Sequence, residues 1–337
     1  MKIPYRTRRA LRRLGLILLA LLLAAVVAWM CWVIWLERFV VYSGDGARLD
    51  FDRGSGFSGG EVAVPPETKA PISIFYNEGD DAVSLSTELQ QLSGYCITAE
   101  ALGDIGAVRE QLAQLKTDVP IMLELKNPRG TFYYSTSVGI VTAEYASEVD
   151  KLIRDLAQSG RYIIASVPAL RDREYGLNNV NCGLFVPSRY SLWMDEGGCY
   201  WLDPSVSGTM TYLTGIVQEL KDLGFDEVVF TDFHFPDSTG YIFDGDKSEA
   251  LTDAAHSLVA ACATDSFAVS FALGNTSFTI PEGRSRVYVV DADASKAASI
   301  AADTQLENTA VRLVFLTDSF DTRFDEFGTM RPIENVR

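Results

Sequence analysis

The sequence predicts an α/β protein, a (β/α)₈ barrel-like domain preceded by one transmembrane helix. Three observations predict this fold class. An uncharged, mostly apolar run occupies residues 14–36. From residue 70 onward, short strand-like runs alternate with helix-period segments, which predicts a parallel sheet covered by helices. The strand-like runs number eight, and eight such units in about 250 residues match the size of a (β/α)₈ barrel.

The N-terminal segment is predicted to be a membrane anchor. Residues 1–13 contain six basic residues and no acid. At about 1.5 Å per residue, the run 14–36 spans roughly 34 Å, enough for a hydrocarbon core of about 30 Å. The basic flank indicates a cytoplasmic N-terminus and an extracellular C-terminal domain. The alternative, a cleaved signal peptide, usually has about 7–15 apolar residues followed by small residues. Here the run is longer, and Trp-Val-Ile-Trp-Leu-Glu-Arg stands where the small residues would be expected.

The exported part of the chain is strongly acidic. It has 23 Lys and Arg against 45 Asp and Glu, a net charge of about −22. This charge argues against binding of nucleic acid or of an anionic membrane surface. Outside the predicted anchor lie four cysteines without metal-binding spacing, so free thiols and disulfides both remain open. They are Cys96, Cys182, Cys199 and Cys262.

Residues 37–70 are predicted to be an extracytoplasmic stalk, because 43–70 are rich in Gly, Ser, Pro and charge. The domain is predicted to occupy residues 71–337. Its candidate strands are Ile72–Tyr76, Tyr95–Ala99, Pro120–Lys126, Arg161–Val167, Glu227–Asp232, Phe267–Leu273, Arg286–Asp291 and Val311–Thr317. Its candidate helices are Ala107–Lys116, Val149–Ser159, Gly208–Leu223, Glu249–Cys262 and Ala294–Ala302. A doubly wound sheet is the main rival, but no G-x-G-x-x-G motif follows a strand.

A long segment separates the strand ending at Val167 from the helix starting near Gly208. It exceeds an ordinary βα loop and is rich in aromatic residues. In a barrel, this segment lies on the C-terminal face, where active sites are built. Its aromatic residues predict either stacking platforms for sugars or a small satellite core under the loop.

Three motifs resemble a family of bacterial TIM-barrel proteins assigned as glycoside hydrolases. Pro120-Ile-Met-Leu-Glu-Leu-Lys-Asn-Pro-Arg-Gly130 resembles a strand that ends in D-x-K-D. Ala165-Ser-Val-Pro-Ala-Leu-Arg-Asp172 resembles A-R-I-x-x-F-K-D. Trp201-Leu-Asp-Pro204 followed by Gly224-Phe-Asp-Glu-Val-Val-Phe-Thr-Asp-Phe-His-Phe-Pro236 resembles W-L-D-P and G-F-D-E-I-Q-F-D-Y-I-R-F-P. The resemblance covers roughly residues 93–243 and implies a TIM barrel and hydrolysis of glycosidic bonds.

The sequence departs from this pattern at acidic and basic positions. The family's strand aspartate corresponds to Thr231, and Asp232 stands one place later. Asn127, Ser166 and His234 replace an Asp and two Arg. Successive strand residues face opposite sides, so Thr231 and Asp232 cannot both face the barrel centre in a regular strand. Either a bulge turns Asp232 inward, or the family's acidic position is empty here.

Glycoside hydrolysis generally needs two carboxyl groups, a proton donor and a nucleophile or base. The candidate pair is Glu124 as the donor and Asp232 as the nucleophile or base, although the roles could be reversed. Lys126 shares a face with Glu124 and could lower its pKa or hold a substrate hydroxyl. The structural alternatives are an internal Glu124–Lys126 ion pair and a loop-anchoring or capping role for Asp232.

Four further residues are candidates for substrate binding. His234 could contact substrate, orient Asp232 or merely line the loop. Trp201 is a candidate sugar platform, although W-L-D-P could instead be a turn in which Asp203 caps the following helix. Asp291 ends its strand and is a third acidic candidate, or an N-cap of the next helix. No metal-binding cluster and no cofactor motif are present in the sequence, and none is predicted.

The predicted function is that of a membrane-anchored, extracytoplasmic glycoside hydrolase-like protein. Its predicted partners are a cell-wall or extracellular polysaccharide and, through the N-terminal helix, the membrane. The competing prediction is a catalytically inactive glycan-binding or envelope scaffold protein on the same fold, because fold alone does not determine function.

Overall fold

A computed structural model of the chain describes residues 40–43, 46–49 and 89–335. The chain divides into two units, residues 1–80 and 81–337, each considered by itself. In the first, Val40–Ser43 pairs antiparallel with Gly46–Leu49. The predicted transmembrane helix 14–36 and the predicted strand Ile72–Tyr76 lie outside the described residues. Among the residues that are described, no helix has the length and apolar character needed to span a membrane.

The second unit contains a closed barrel of eight parallel strands, all of them within residues 89–335. In chain order they are β1 Ser93–Ile97, β2 Ile121–Glu124, β3 Ile163–Pro168, β4 Glu227–Thr231, β5 Ala268–Ala272, β6 Val287–Val290, β7 Leu313–Leu316 and β8 Gly328–Pro332. Strands adjacent in the chain are adjacent in the barrel, and β8 pairs with β1 to close it. The predicted (β/α)₈ TIM-barrel architecture is therefore confirmed.

The α-helices of residues 89–335 lie between these strands. They are α1 Ile105–Ala113, α2 Ala146–Gln158, α3 Arg173–Asn178, α4 Ser207–Asp222, α5 Lys247–Cys262, α6 Ala297–Asp303 and α7 Thr309–Arg312. Single 3₁₀ turns occupy Ala101–Gly103, Val180–Cys182, Ala294–Lys296, Thr322–Phe324 and Ile333–Asn335. Helix α1 begins where Asp104 accepts the Ala107 N–H, and α5 begins where Asp246 accepts the Glu249 N–H. Such caps satisfy backbone donors that have no partner within the helix.

The strand that closes the barrel differs from the prediction. Gly328–Pro332 occupies the place beside β1, so the barrel closes without residues 72–76. Its sequence, Gly-Thr-Met-Arg-Pro, carries a weak strand signal because glycine and proline are both depleted in strands. Glycine is nevertheless needed at position 328, because a Cβ there would lie 2.9 Å from Cγ2 of Val314.

The barrel interior is filled by one layer of apolar side chains from all eight strands and by polar groups near its N-terminal end. The apolar layer consists of Cys96, Met122, Ile164, Val229, Ala272, Tyr288, Val314 and Met330. Glu227, the first residue of β4, is fully buried and forms an ion pair with Arg286. A buried carboxylate needs such a partner to stay ionised. Residues at the N-terminal end of a barrel generally serve stability.

The long segment between β3 and α4 folds back on itself. It contains α3, a 3₁₀ turn and isolated bridges such as Gly183 with Leu202 and Met194 with Tyr200. Residues 131–132 and 141–142, in the loop after β2, form a separate short parallel pair. The four cysteines predicted to lie outside the membrane are all buried free thiols in the structure. Cys182 and Cys199, which both lie in the segment between β3 and α4, form no disulfide, so hydrogen bonds and packing hold the shape of this segment.

Candidate active site

Glu124 ends strand β2 at the C-terminal face of the barrel. It lies opposite Ser166 of β3 and is half-buried. Two residues earlier, Met122 belongs to the interior layer, so Glu124 has the same inward orientation. Its Oε2 atom accepts the backbone N–H of Ala99 at 2.8 Å, which directs the carboxylate toward the end of β1. The sequence-predicted position of Glu124 at a strand end is thus observed, and its catalytic role stays a prediction.

Lys126 does not pair with Glu124. Its Nζ lies 2.8 Å from Oδ2 of Asp172 and 2.8 Å from the carbonyl oxygen of Pro168. The Tyr212 hydroxyl donates to the same Asp172 oxygen at 2.7 Å. The side chains of Lys126 and Asp172 are 0% and 1% exposed, so the ammonium has exchanged water for a buried counter-charge. Both the predicted ion pair with Glu124 and the predicted contact with a substrate hydroxyl are therefore wrong for Lys126.

The Asn127 side chain also serves the fold. Its carbonyl oxygen accepts the backbone N–H groups of Arg129 at 3.0 Å and Thr131 at 3.1 Å, and its amide donates to the Tyr133 hydroxyl. These bonds form an Asx-type turn, which asparagine commonly stabilises. The second acidic position of the family motif is therefore a turn-forming residue in this chain.

The backbone at Asp232 leaves the regular strand geometry of β4. Thr231 ends β4, and Asp232 follows directly with φ = +49°, the left-handed region. Asp tolerates this conformation better than most residues, and such residues cluster at active sites. The turn places Oδ1 of Asp232 3.9 Å from Nε2 of His234, and the charges of Arg171 and Lys126 also act on the carboxyl group. The strand position of the family aspartate is occupied by Thr231, and a left-handed residue supplies the acid one place later.

The pKa of Asp232 is raised. Burial disfavours its ionised form and is the largest cause, while the positive charges of Arg171, His234 and Lys126 act in the opposite direction. Its side chain remains 25% exposed. An acid with a raised pKa that is still accessible to solvent can hold a proton and deliver it to a ligand.

His234 lies beside Asp232, with its Nε2 atom 3.9 Å from the Asp232 Oδ1 atom. Its Nδ1 atom faces the carbonyl oxygen of Phe235 at 2.9 Å, which favours the tautomer with the proton on Nδ1. When Nε2 is protonated as well, the ring places a positive charge beside the Asp232 carboxyl, which opposes the rise of its pKa. Gly274 gives the imidazole room, because a Cβ at that position would lie 2.3 Å from His234 Cδ2. This geometry supports orientation of Asp232, one of the predicted roles of His234.

Arg171 and Asp195 form a wall of the site that sequence reasoning missed. Arg171 Nε donates to Asp195 Oδ2 at 2.7 Å, and the Trp201 indole N–H donates to the same oxygen at 3.0 Å. Burial opposes ionisation of Asp195, but hydrogen bonds from the Cys199 N–H, Arg171 and Trp201 outweigh it and lower its pKa. Arg171 belongs to the second family motif, which was the available signal. Asp195 carries no sequence signal.

Trp201 supports this wall. The centroid of its ring lies 5.9 Å from Cζ of Arg171 and 5.1 Å from the centroid of the His234 ring. Only 5% of the residue is exposed. The prediction of Trp201 as an open sugar platform is therefore corrected: its faces are covered by protein groups.

Asp203 is not among the residues that contact Asp232, His234 or Arg171. Its Oδ1 atom accepts the N–H and hydroxyl of Ser205, whereas the N-cap residue of α4 is Val206. The prediction that Asp203 caps this helix is therefore wrong. Asp203 lines a cleft of about 440 Å³ between the long β3–α4 segment and the loop after β4, and none of the other predicted site residues lines it.

Asp291 follows β6 and is exposed, with φ = +53°. The cap of the next turn is Asp293, whose side chain accepts the Ser295 N–H, so Asp291 does not have the predicted alternative role of an N-cap. Asp232 and Asp291 thus follow alternate strands in the same left-handed conformation. Among residues 89–335, no cluster of His, Cys, Asp and Glu has an arrangement that could hold a metal ion.

Comparisons with known proteins place this site in a family. The chain belongs to the family described as "putative glycosyl hydrolase domain", whose model matches residues 97–267. This match includes the strands that carry Glu124 and Asp232. No curated protein sequence matches the chain significantly.

Solved structures resemble the barrel at low sequence identity. The GH36 α-galactosidase AgaA from Geobacillus stearothermophilus, in complex with 1-deoxygalactonojirimycin, is 13% identical with a TM-score of 0.51, over 74% of this chain and 40% of that chain. A GH20 exo-β-N-acetylglucosaminidase from Vibrio harveyi is 10% identical with a TM-score of 0.48, over 72% of this chain and 50% of that chain. The chain therefore spans half or less of the length of these enzymes, and the likeness to the GH36 enzyme shows the fold alone. Together with the family match, it defines a glycoside hydrolase-like TIM-barrel protein.

Proposed function

We propose that the protein is a membrane-anchored, extracytoplasmic glycoside hydrolase that acts on a cell-envelope or extracellular polysaccharide. The observation that carries the proposal is Asp232, an accessible acid with a raised pKa in a left-handed turn at the C-terminal face. A raised pKa suits the proton donor of glycosidic cleavage. We therefore assign the donor role to Asp232 and the role of nucleophile or base to Glu124, the reverse of the first sequence assignment.

In the proposed mechanism, the two carboxyl groups act in different protonation states. Protonated Asp232 gives its proton to the leaving glycosidic oxygen, while ionised Glu124 attacks the sugar carbon or activates a water. His234 and Arg171 orient Asp232 and limit the rise of its pKa. Activity is expected to fall as the pH rises through the pKa of Asp232, because the donor then loses its proton.

The test compares the full-length chain with two Asp→Asn variants on a panel of neutral, amino-sugar and anionic polysaccharides. Asp232→Asn is expected to lower the release of reducing ends by about 10²–10⁴-fold. Asp265→Asn is the matched control, because Asp265 is exposed in the loop between α5 and β5, at the opposite end of the barrel. Similar release from Asp232→Asn and Asp265→Asn would remove Asp232 from the mechanism.

A second candidate function is glycan binding without hydrolysis. It is favoured by Thr231, Asn127 and Ser166, which replace charged residues of the family motifs. If no polysaccharide of the panel is cleaved, but one is retained equally by the wild type and by Asp232→Asn in a binding assay, the binding function is the correct one.

The membrane anchor is proposed from sequence alone, on the basic residues 1–13 and the uncharged run 14–36. The protein is then expected in the membrane fraction after carbonate extraction. A protease added to intact spheroplasts should digest the domain while the N-terminal tail stays protected. Recovery in the soluble fraction, or protection of the domain, would contradict the anchor or its orientation.

A further inference from the structure

Asp195 lies in a tight turn that fixes its carboxylate from both sides. The turn spans residues 195–199, and the Asp195 N–H donates to the Cys199 carbonyl at 2.9 Å. One carboxylate oxygen, Oδ1, accepts the Cys199 N–H at 2.9 Å. The other, Oδ2, accepts hydrogen bonds from Arg171 Nε and from the Trp201 indole N–H. With three donors and a side chain that is 14% exposed, the Asp195 carboxylate is held in one orientation.

The same turn receives the Arg171 guanidinium. The Nη2 atom of Arg171 lies so close to Gly197 that a Cβ at this position would clash with it, so the approach requires glycine. The backbone of Arg171 forms an isolated bridge with Trp201, which places the start of its side chain beside the turn. Because the donors of a guanidinium form a rigid fork, the bond from Nε to Asp195 also sets the direction of the other N–H groups.

Arg171 is affected by two carboxylates but bonds to one of them. Burial lowers the pKa of Arg171, but the bond to Asp195 and the charges of Asp195 and Asp232 outweigh burial and raise it. Within residues 89–335, no hydrogen bond or salt bridge joins Arg171 to Asp232, whereas Arg171 Nε lies 2.7 Å from Asp195 Oδ2. A direct bond from the guanidinium would favour the ionised form of Asp232 and lower its pKa. Asp232 would then be a poor proton donor.

The other charged groups that act on Asp232 do not depend on this turn. His234 Nε2 lies 3.9 Å from Asp232 Oδ1, and Lys126 is fixed in its buried pair with Asp172. Burial raises the pKa of Asp195, but its hydrogen bonds outweigh burial and lower it, so Asp195 is ionised at about pH 7. Among the cations that act on Asp232, Arg171 is therefore the one whose position is set by Asp195.

We propose that Asp195 is a positioning residue that holds the Arg171 guanidinium on the turn 195–199 and so prevents a direct ion pair between Arg171 and Asp232. Asp232 then keeps its proton until the leaving glycosidic oxygen takes it. The inference rests on the proposed donor role of Asp232 and names the residue on which that role depends.

The first experiment follows Asp232 directly and needs no substrate. The full-length chain, labelled with ¹³C at the aspartate Cγ atoms, is titrated by NMR, and the Asp232 signal is identified by its absence from Asp232→Asn. In Asp195→Asn, the midpoint of the Asp232 titration is expected to fall by about one pH unit or more, because Arg171 is released toward Asp232. Asp244→Asn is the matched control, since Asp244 is paired with Arg189 at 2.6 Å in another loop, and it should leave the midpoint unchanged. An unchanged midpoint in Asp195→Asn would overturn the proposal.

A second pair of variants separates an action through Arg171 from the direct effect of the Asp195 charge. Arg171→Met alone is expected to raise the midpoint of Asp232, because it removes a positive charge that acts on this carboxyl group. Adding Asp195→Asn to Arg171→Met should then shift the midpoint far less than Asp195→Asn does in the wild type. Equal shifts in both backgrounds would show that Asp195 acts by its own charge, and would overturn the positioning role.

The wild-type chain provides a test that does not depend on the folding of a variant. Asp195 must be ionised throughout the range in which Asp232 titrates, since only the carboxylate holds Arg171 as an ion pair. The Asp195 signal, identified by its absence from any of the Asp195→Asn spectra, should therefore titrate at lower pH than the Asp232 signal. An Asp195 midpoint equal to or above that of Asp232 would contradict the proposal.

Hydrolysis tests the consequence for the reaction. On the polysaccharide that the wild type cleaves best, the alkaline limb of the pH profile of kcat/KM is expected to move to lower pH in Asp195→Asn, while kcat/KM at the acidic optimum stays within about threefold of the wild type. An equal loss of kcat/KM at every pH would indicate a merely structural role and overturn the proposal. Shifted Asp232 midpoints without cleavage by the wild type would support the action of Asp195 on Asp232 and overturn the proposed hydrolase.

Discussion

The two ends of strand β4 carry carboxylates with opposite surroundings. Glu227, at the first residue of the strand, is fully buried and accepts hydrogen bonds from the hydroxyls of Tyr162 at 2.9 Å, Ser270 at 2.6 Å and Tyr288 at 3.0 Å, besides its ion pair with Arg286. Asp232, directly after the strand, is 25% exposed, and its ion-pair partner His234 lies 3.9 Å away. Four residues of one strand thus separate a fully bonded acid from an incompletely bonded one.

The comparison teaches how to tell a structural acid from a functional one in a barrel. Glu227 has its bonds supplied by the protein, so it has no capacity left for a ligand. Asp232 has a left-handed backbone conformation and a raised pKa, both of which cost stability. Such a cost is expected where a group must exchange a proton with a substrate.

The largest expected effect comes from a variant at the start of β4, where Glu227 is buried. Arg286→Met removes the counter-charge of Glu227 and the hydrogen bonds to the backbone oxygens of Gln90 and Val311. Stranding a buried carboxylate typically costs about 3–5 kcal/mol, and the extra lost bonds place this variant near 5 kcal/mol. Urea unfolding measures it. The control is Arg331→Met, since Arg331 is half-buried and bonds to the Ser319 carbonyl and the Thr329 hydroxyl, with no carboxylate partner among the residues that the structure describes. A loss no greater than in this control would contradict the role given to Glu227.

A smaller loss is expected from Lys126→Met, at the functional end. Asp172 would keep its bonds from the Tyr175 N–H and the Tyr212 hydroxyl, so about 3 kcal/mol of unfolding free energy is expected to be lost. The control is the exposed Lys247→Met, whose ammonium bonds to the Tyr241 hydroxyl. A loss below about 1 kcal/mol would show that the Lys126–Asp172 pair is dispensable for the fold.

Most of the barrel could be predicted from sequence because its strands are continuous apolar runs. Ile163–Pro168, for example, is buried at every position, and the parallel order follows from the helices between such runs. The closing strand could not be predicted, since Gly328–Pro332 has the composition of a turn. Its strand conformation comes from tertiary pairing with β1 and β7.

The candidate site was predictable in part. Glu124 and Asp232 lie at strand ends as the motifs indicated, because strand ends converge at one face of a barrel. The partners of the site were not predictable. Asp195 reaches Arg171 across 24 residues of the irregular β3–α4 segment, whose path depends on isolated bridges and packing and not on periodicity.

The smallest expected effect, and the sharpest test of the comparison, is the stability of Asp232→Asn. Asparagine also tolerates a positive φ, so the backbone is not strained further. The ionised form of Asp232 is disfavoured in the folded state, so its ionisation lowers the stability of the fold at about pH 7. This loss of stability disappears as the pH falls toward the ordinary pKa of an aspartate, about 3.9.

Asp232→Asn is therefore expected to unfold at higher urea than wild type at about pH 7, with a gain of about 0.5–1 kcal/mol. At about pH 4 the gain should shrink, because a larger fraction of wild-type Asp232 is then protonated and uncharged. Asp265→Asn, on an exposed loop, should show no such pH-dependent gain. A loss of stability for Asp232→Asn at neutral pH would place Asp232 with Glu227 among the structural acids. A gain combined with lost hydrolysis would mark it as an acid retained for function at the expense of stability.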